Sequence, residues 1–244
     1  PMYGLVIAFK DYKITRGIEG SNWSNPWYKW FLNFFTDPYF GRLLKNTFLI
    51  SGLTILFGFP APIILALMIN EVKNSAFKRT VQTITYMPYF ISMVVLCGLL
   101  KTFSMQDGLF SQIATVFGGK AQNFLANPNY FRTIYVLSDI WSGIGWNSII
   151  YLAALSSIDQ EQYEAARVDG ANRFQQMLHI TLPGLVPTIM ILFILRMGNI
   201  LNVGYEKILL LYNSATYSTA DVISTYTYRL SFGGSGNPMY SKST

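Results

Sequence analysis

Ser157-Ile158-Asp159-Gln160-Glu161-Gln162-Tyr163-Glu164-Ala165-Ala166-Arg167-Val168-Asp169-Gly170-Ala171-Asn172-Arg173-Phe174-Gln175-Gln176-Met177-Leu178-His179-Ile180-Thr181-Leu182-Pro183 is a polar stretch set between two long apolar runs. Its pattern predicts two short helices around a turn. Ser157 and Gln160 match a capping box, and Asp159 and Glu161 fall in a first helical turn, where the helix dipole favours acids. Gly170 suits the left-handed position just past a helix end. Asn172 and Gln175 repeat the cap pattern, and Phe174, Met177 and Leu178 form one apolar face. Leu182 precedes a proline, which ends the second helix there, and Pro183 can open the next element because a first-turn proline loses no hydrogen bond. The product is a compact knob suited to another protein.

Four long runs flank this segment. No charge occurs from Asn46 to Asn70, from Thr80 to Leu100, or from Ile140 to Ile158, which extends back toward Tyr130. A fourth starts at Pro183 and runs toward Tyr205, interrupted by Arg196. A bilayer span needs about 20 apolar residues. The expected spans are therefore 43–70, 80–101, 130–158 and 183–205, with 159–182 between the last two. Pro60, Pro62, Pro88, Pro183 and Pro187 lie in or beside these runs, which membrane helices tolerate when neighbours satisfy the freed backbone groups. The short connection after Glu71 carries Lys73, Lys78 and Arg79 and so reads as cytoplasmic. The long connection from Lys101 to Asn129 then reads as external, and 159–182 as cytoplasmic. The N-terminal stretch falls outside despite Lys10, Lys13, Arg16, Lys29, Arg42 and Lys45, the short loops deciding the orientation.

Composition agrees with a lipid environment. Of the 244 residues only 12% are charged and 51% are hydrophobic, whereas roughly 25% are charged in an ordinary soluble domain. The net charge of +6 fits attraction to anionic headgroups. No clustered basic face argues for nucleic acid. Cys97 and His179 are the only residues of their types, which rules out the common Cys/His metal sites, and with the one histidine embedded in the 159–182 segment hydrolase chemistry has no base to hand. Gly118-Gly119-Lys120 fails as a phosphate loop, because no glycine stands four residues before the Gly-Lys pair and Ala121 follows the lysine. Asn22-Trp23-Ser24 is a formal glycosylation sequon and a weak pattern.

Glu164-Ala165-Ala166, Asp169-Gly170-Ala171 and Ile180-x-Leu182-Pro183, at this spacing, resemble the full EAA signature of ABC importer permeases. Pro1–Tyr12 and Leu201–Asn213 resemble stretches of the branch that handles oligosaccharides and polysaccharide fragments. The resemblance implies an all-α polytopic transmembrane bundle of the type I importer permease kind over residues 1–244, with 159–182 as its coupling segment. It implies Glu164, Ala165, Ala166, Asp169, Gly170, Ala171, Ile180, Leu182 and Pro183 as the surface that docks into a cytoplasmic ATPase. It further implies a second permease subunit, two ATPase subunits, an extracellular or periplasmic solute-binding protein, and a multi-pass place in a bacterial cell membrane. ATP and Mg would be bound by the ATPase, with no cofactor or catalytic residue in this chain. Six spans are usual in this branch, and both ends fall outside, so one further span is expected before Pro1 and one after Thr244.

Arg196 in the fourth run is costly at membrane depth and reads equally as a pocket residue or as one that snorkels to the headgroups. Asn199 and Asn202 follow it near one helical face, in a span where maltose-type relatives place pocket asparagines. Asn147 and Tyr151, with Trp141 and Trp146, suit either sugar contact or an interfacial belt and helix packing, the latter being preferred. An ion-coupled secondary transporter is the alternative reading; such proteins carry ionisable groups deep in their spans, and here only Arg196 qualifies.

Overall fold

The computed structural model describes residues 2–232 and 239–244; the terminal Gly233-Gly234-Ser235-Gly236 run lies outside the described residues. The helices used below are α1 (Lys29–Phe35), α2 (Phe40–Glu71), α3 (Ser75–Tyr86), α4 (Met93–Ser104), α5 (Leu109–Val116), α6 (Pro128–Ser156), α7 (Gln160–Val168), α8 (Arg173–Gly198), α9 (Tyr205–Leu211) and α10 (Ile223–Phe232). An isolated bridge between Lys10 and Trp23 is the only β pairing among the described residues.

Three stretches among the described residues are long and apolar enough to cross a membrane: α2, Met93–Val116 and α8. Only 11% of the apolar window of α8 is buried within the chain, so lipid or another subunit must cover the rest. The 29 residues of α6, at about 1.5 Å each, also exceed the roughly 30 Å hydrocarbon layer. Asp139, Ser142, Asn147 and Ser148 make α6 less apolar than the others.

Two expected spans differ in outline. Thr80–Leu100 is not one helix: α3 stops at Tyr86, Met87–Phe90 tightens into a 3₁₀ turn around Pro88, and Ile91 is extended at φ −74°, ψ 129° before α4 begins. Pro88 cannot supply the N–H that a continuing helix needs. The fourth span does not begin at Pro183, because α8 runs unbroken from Arg173 through Leu182. Met177–Thr181 widens into a π turn just ahead of the proline. The wider i→i+5 pattern relieves the clash of the proline ring with the preceding turn. Thr54–Gly58 forms the same device ahead of Pro60 within α2.

The chain divides into two compact units. One gathers 1–49, 101–131 and 201–244, the three stretches expected on a single side. Its centre is Asp221, fully buried, with both carboxylate oxygens bonded by the Arg229 guanidinium at 2.8 and 2.6 Å. Asn46 Nδ2 donates to the carbonyls of Asp221 and Ser218, and Asn213 Nδ2 donates to the carbonyl of Leu125. Gly118 at φ +81° and Gly119 close α5: their N–H groups bond the carbonyls of Thr115 and Ala114. These are the two bonds of a Schellman stop.

The other unit holds 50–100 and 132–200. Ala66, Tyr151, Leu155 and Leu185 form its buried core, where α2, α6 and α8 meet. Gly145 lets α6 approach α3 backbone to backbone: a Cβ there would come within 2.1 Å of the Thr85 carbonyl oxygen. Small residues at membrane helix contacts permit such approach.

Candidate functional site

Within the second unit, α2, the Met87–Phe90 turn, α6 and α8 line an open cavity of about 550 Å³, in the range of small-ligand sites. Phe59, Pro62, Pro88, Ile144, Ile150, Leu192 and Leu195 give it apolar walls. The polar groups are Asp139, Ser142, Asn147 and Tyr151 from α6, Tyr89 from the turn, Arg196 from α8 and Asn199 just past its end. On α6 they fall at helical spacing, which explains why this helix is the least apolar of the long ones.

Arg196 Nη2 stands 4.0 Å from Asp139 Oδ2, with the side chains 49% and 37% exposed. An ion pair so open contributes roughly 0–1 kcal/mol, so it furnishes polarity to the cavity more than it fastens α8 to α6. Arg196 was expected to be the only ionisable group deep in the spans, with no carboxylate; Asp139, inside the expected span 130–158, is a carboxylate on the cavity wall. A helical projection carried upstream of Ile140 would have found it, because Asp139, Ser142 and Asn147 share a face.

The expected asparagines separate. Asn199 caps α8, donating through Nδ2 to the Leu195 carbonyl at 3.0 Å, and lines the cavity. Asn202 does not follow it, because the helix ends at Gly198 and Asn202 lies exposed beyond it. Tyr151 is buried at the cavity floor, and Asn147 faces the space. Trp146 stacks on Tyr89, centroids 4.6 Å apart and planes 5° off parallel, so it packs behind a cavity residue. Trp141 is half exposed.

The 159–182 segment is the second part of the site. Asp159, not Ser157, caps α7, accepting from Glu161 N at 3.0 Å; Ser157 turns back to the Ala154 carbonyl in the tail of α6. Helix α7 ends in a Schellman motif: Ala171 N–H donates to the Ala166 carbonyl at 2.8 Å, and Gly170 N–H donates to that of Arg167 at 3.1 Å. Gly170 sits at φ +78°, a conformation glycine adopts without strain. Asn172 and Gln175 form a complete capping box at the start of α8.

Glu164, Ala165, Asp169, Gly170 and Pro183 are exposed, while Ala166, Ala171, Ile180 and Leu182 are half buried. Ala166, Gly170, Ala171 and Ile180 line a shallow groove of about 340 Å³ with Gln175 and His179. Val168 and Phe174 project at 88% and 66% exposure. Two fastenings were not foreseen. The Tyr163 hydroxyl meets Thr181 Oγ1 at 3.0 Å, and Arg173 Nη1 reaches Glu71 Oε2 at 3.6 Å. The second contact brings the connection after α2 and the one after α6 to the same end of the unit.

Residues 58–228 match the model of the binding-protein-dependent transport system inner membrane component family. The chain belongs to this family. Relatives include Protein LplB of Bacillus subtilis, 44% identical over 94% of this chain and 72% of that protein. A second, from the same organism, is the polygalacturonan/rhamnogalacturonan transport system permease protein YteP, 44% identical over 93% of this chain and 71% of its own length. A crystal structure of a bacterial ABC transporter involved in the import of the acidic polysaccharide alginate superposes with a TM-score of 0.89 and 46% identity, covering 100% of this chain and 81% of that one. The permease is thus an all-α integral membrane component of an ABC importer that works with a binding protein.

Proposed function

We propose that this permease forms half of an oligosaccharide pathway and drives it through 159–182. The observation that carries the reading is the continuity of α8. One helix begins in the exposed knob at Arg173 and ends among the cavity residues Arg196 and Asn199. Motion imposed on α7 reaches α8 through the Schellman turn and the Tyr163–Thr181 bond. A stiff helix then carries it to the cavity wall. Glu164, Ala165, Ala166, Asp169, Gly170, Ala171, Ile180, Leu182 and Pro183 form the docking surface and framework for a cytoplasmic ATPase, which binds ATP and Mg; this chain is not an enzyme and holds no cofactor.

Asn147, Tyr151, Arg196 and Asn199, with Asp139, form the sugar-facing wall. Amide, phenol and charged groups set among apolar rings can bond hydroxyls while the rings cover the faces of a sugar. The permease sits as a multi-pass protein in a bacterial cell membrane with the knob inside, beside a second permease subunit and two ATPases, and receives cargo from a binding protein outside. The names of the relatives support an oligosaccharide cargo.

The test is uptake of labelled oligosaccharide by proteoliposomes holding the complete transporter. Uptake that needs both the loaded binding protein and internal ATP supports the reading. Uptake driven by an ion gradient without ATP contradicts it.

A further inference from the structure

In residues 27–39 the usual polarity of a surface segment is inverted. Trp27, Phe31, Phe35 and Tyr39 recur every four residues, with Tyr28 and Leu32 beside them, and all six are 41–62% exposed. Both charged residues of the stretch are paired within their unit, Lys29 at the surface and Asp37 in the interior. Lys29 pairs with Asp11 at 3.0 Å, and Asp37 pairs with Lys242 at 2.6 Å where both side chains are less than 10% exposed. A segment surrounded by water would bury the aromatics and expose the ions.

Chain continuity fixes what lies outside. Tyr39 immediately precedes α2, whose apolar run crosses the membrane. From Tyr39 to Asn46, where the charge-free run begins, a helix advances about 10 Å, enough to cross the headgroup layer of roughly 5–8 Å on one side of a bilayer. The guanidinium of Arg42 lies 4.7 Å over the Tyr39 ring, and Lys45 is exposed one turn further on. Aromatic rings beside lysine and arginine are the composition of a membrane–water interface.

We infer that Trp27–Tyr39 is a membrane-surface anchor, lying in the headgroup layer with its aromatic side toward the acyl chains. It sets the depth at which α2 enters the bilayer, and its ion pairs transmit that depth to the unit that Asp11 and Lys242 belong to.

The test uses the complete transporter in nanodiscs of phosphatidylethanolamine and phosphatidylglycerol. Nitroxide labels are placed singly through Trp27→Cys and Phe35→Cys, with Lys120→Cys, exposed in the polar connection between the second and third spans, as the aqueous reference. Each labelled transporter is first shown to keep its binding-protein-stimulated ATPase activity, and these positions are exposed, so labelling should not disturb the fold. The expected result is a ratio of oxygen to nickel-chelate accessibility several-fold higher at Trp27→Cys and Phe35→Cys than at Lys120→Cys. Ratios equal to the reference would place the stripe in water, and low accessibility to both reagents would place it against another subunit. Either result overturns the inference.

Discussion

Tyr163 and Thr181 are joined through their hydroxyls at 3.0 Å, which fastens the exposed helix α7 to the π turn that opens the cavity-lining helix. Thr181 is almost fully buried and Tyr163 half buried, so the bond is partly sheltered from water. Tyr163→Phe removes it and should cost about 1 kcal/mol, too little to prevent assembly. The expected outcome is a normal yield of complex with ATPase stimulation and transport both partly reduced. Nucleotide hydrolysis and uptake measured on one preparation check this.

Arg196 and Asp139 face each other across the cavity in an open pair. Arg196→Ala should leave assembly unchanged, because the pair adds little stability. A charged group that bonds cargo contributes roughly 1.5–3 kcal/mol, so uptake should fall by about ten- to a hundred-fold. Docking of the loaded binding protein should be unaffected. Initial uptake rates and binding-protein affinity separate the two effects.

Gly145→Val should act through packing. The added Cβ meets the Thr85 carbonyl oxygen at 2.1 Å, and backbone cannot step aside as a side chain can. Overpacking of this kind costs about 1–3 kcal/mol or more. The yield of assembled transporter and its thermal midpoint in detergent should both drop.

Asp37 gives a pH dependence. Burial alone would raise its pKa, but hydrogen bonds from Lys242, Tyr226 and the Tyr39 N–H outweigh it and hold the carboxyl below its ordinary value. A depressed carboxyl contributes stability above its unfolded pKa of about 3.9 and loses it as pH falls through the lower folded value. Protection of α10 and Tyr240–Ser243 from hydrogen exchange should therefore hold steady from neutral pH to about 4 and weaken below. Asp37→Asn leaves the Lys242 ammonium without its carboxylate partner and should lower that protection at neutral pH by up to about 3 kcal/mol.

Local chemistry was the legible part of this protein. Gly170 and the Asn172–Gln175 box could be read because a helix end is satisfied by residues a few positions away. The long apolar runs announced a membrane protein for the same reason: a span needs only length and composition. What stayed hidden depends on neighbours. Nothing local says that α8 passes through Leu182, because the π turn that admits Pro183 is a response of the whole helix. Tyr163 and Thr181 lie 18 positions apart and meet only when the knob folds. Asp139 lay inside the expected span 130–158 yet was not counted among the ionisable groups of the spans, because it stands at the edge of a charge-free run in sequence, whereas in the fold a cavity holds it. The Asp221–Arg229 centre lies outside every apolar run and follows from the packing of three distant stretches.

Gly170 offers the most direct test of the coupling account. Its φ is +78° and a Cβ would meet nothing within 4 Å, so a substitution there acts through backbone conformation without a clash. Gly170→Val should strain the turn by about 1–2 kcal/mol and tilt α7 against α8, while Gly170→Asn, which accepts a left-handed backbone, should be tolerated. The measurement is ATPase activity of the reconstituted transporter with and without loaded binding protein, alongside the amount of assembled complex. The account expects full assembly of both variants, lost stimulation and uptake in Gly170→Val, and near-normal values in Gly170→Asn. An assembled Gly170→Val transporter with normal stimulation would contradict the role of 159–182 in coupling.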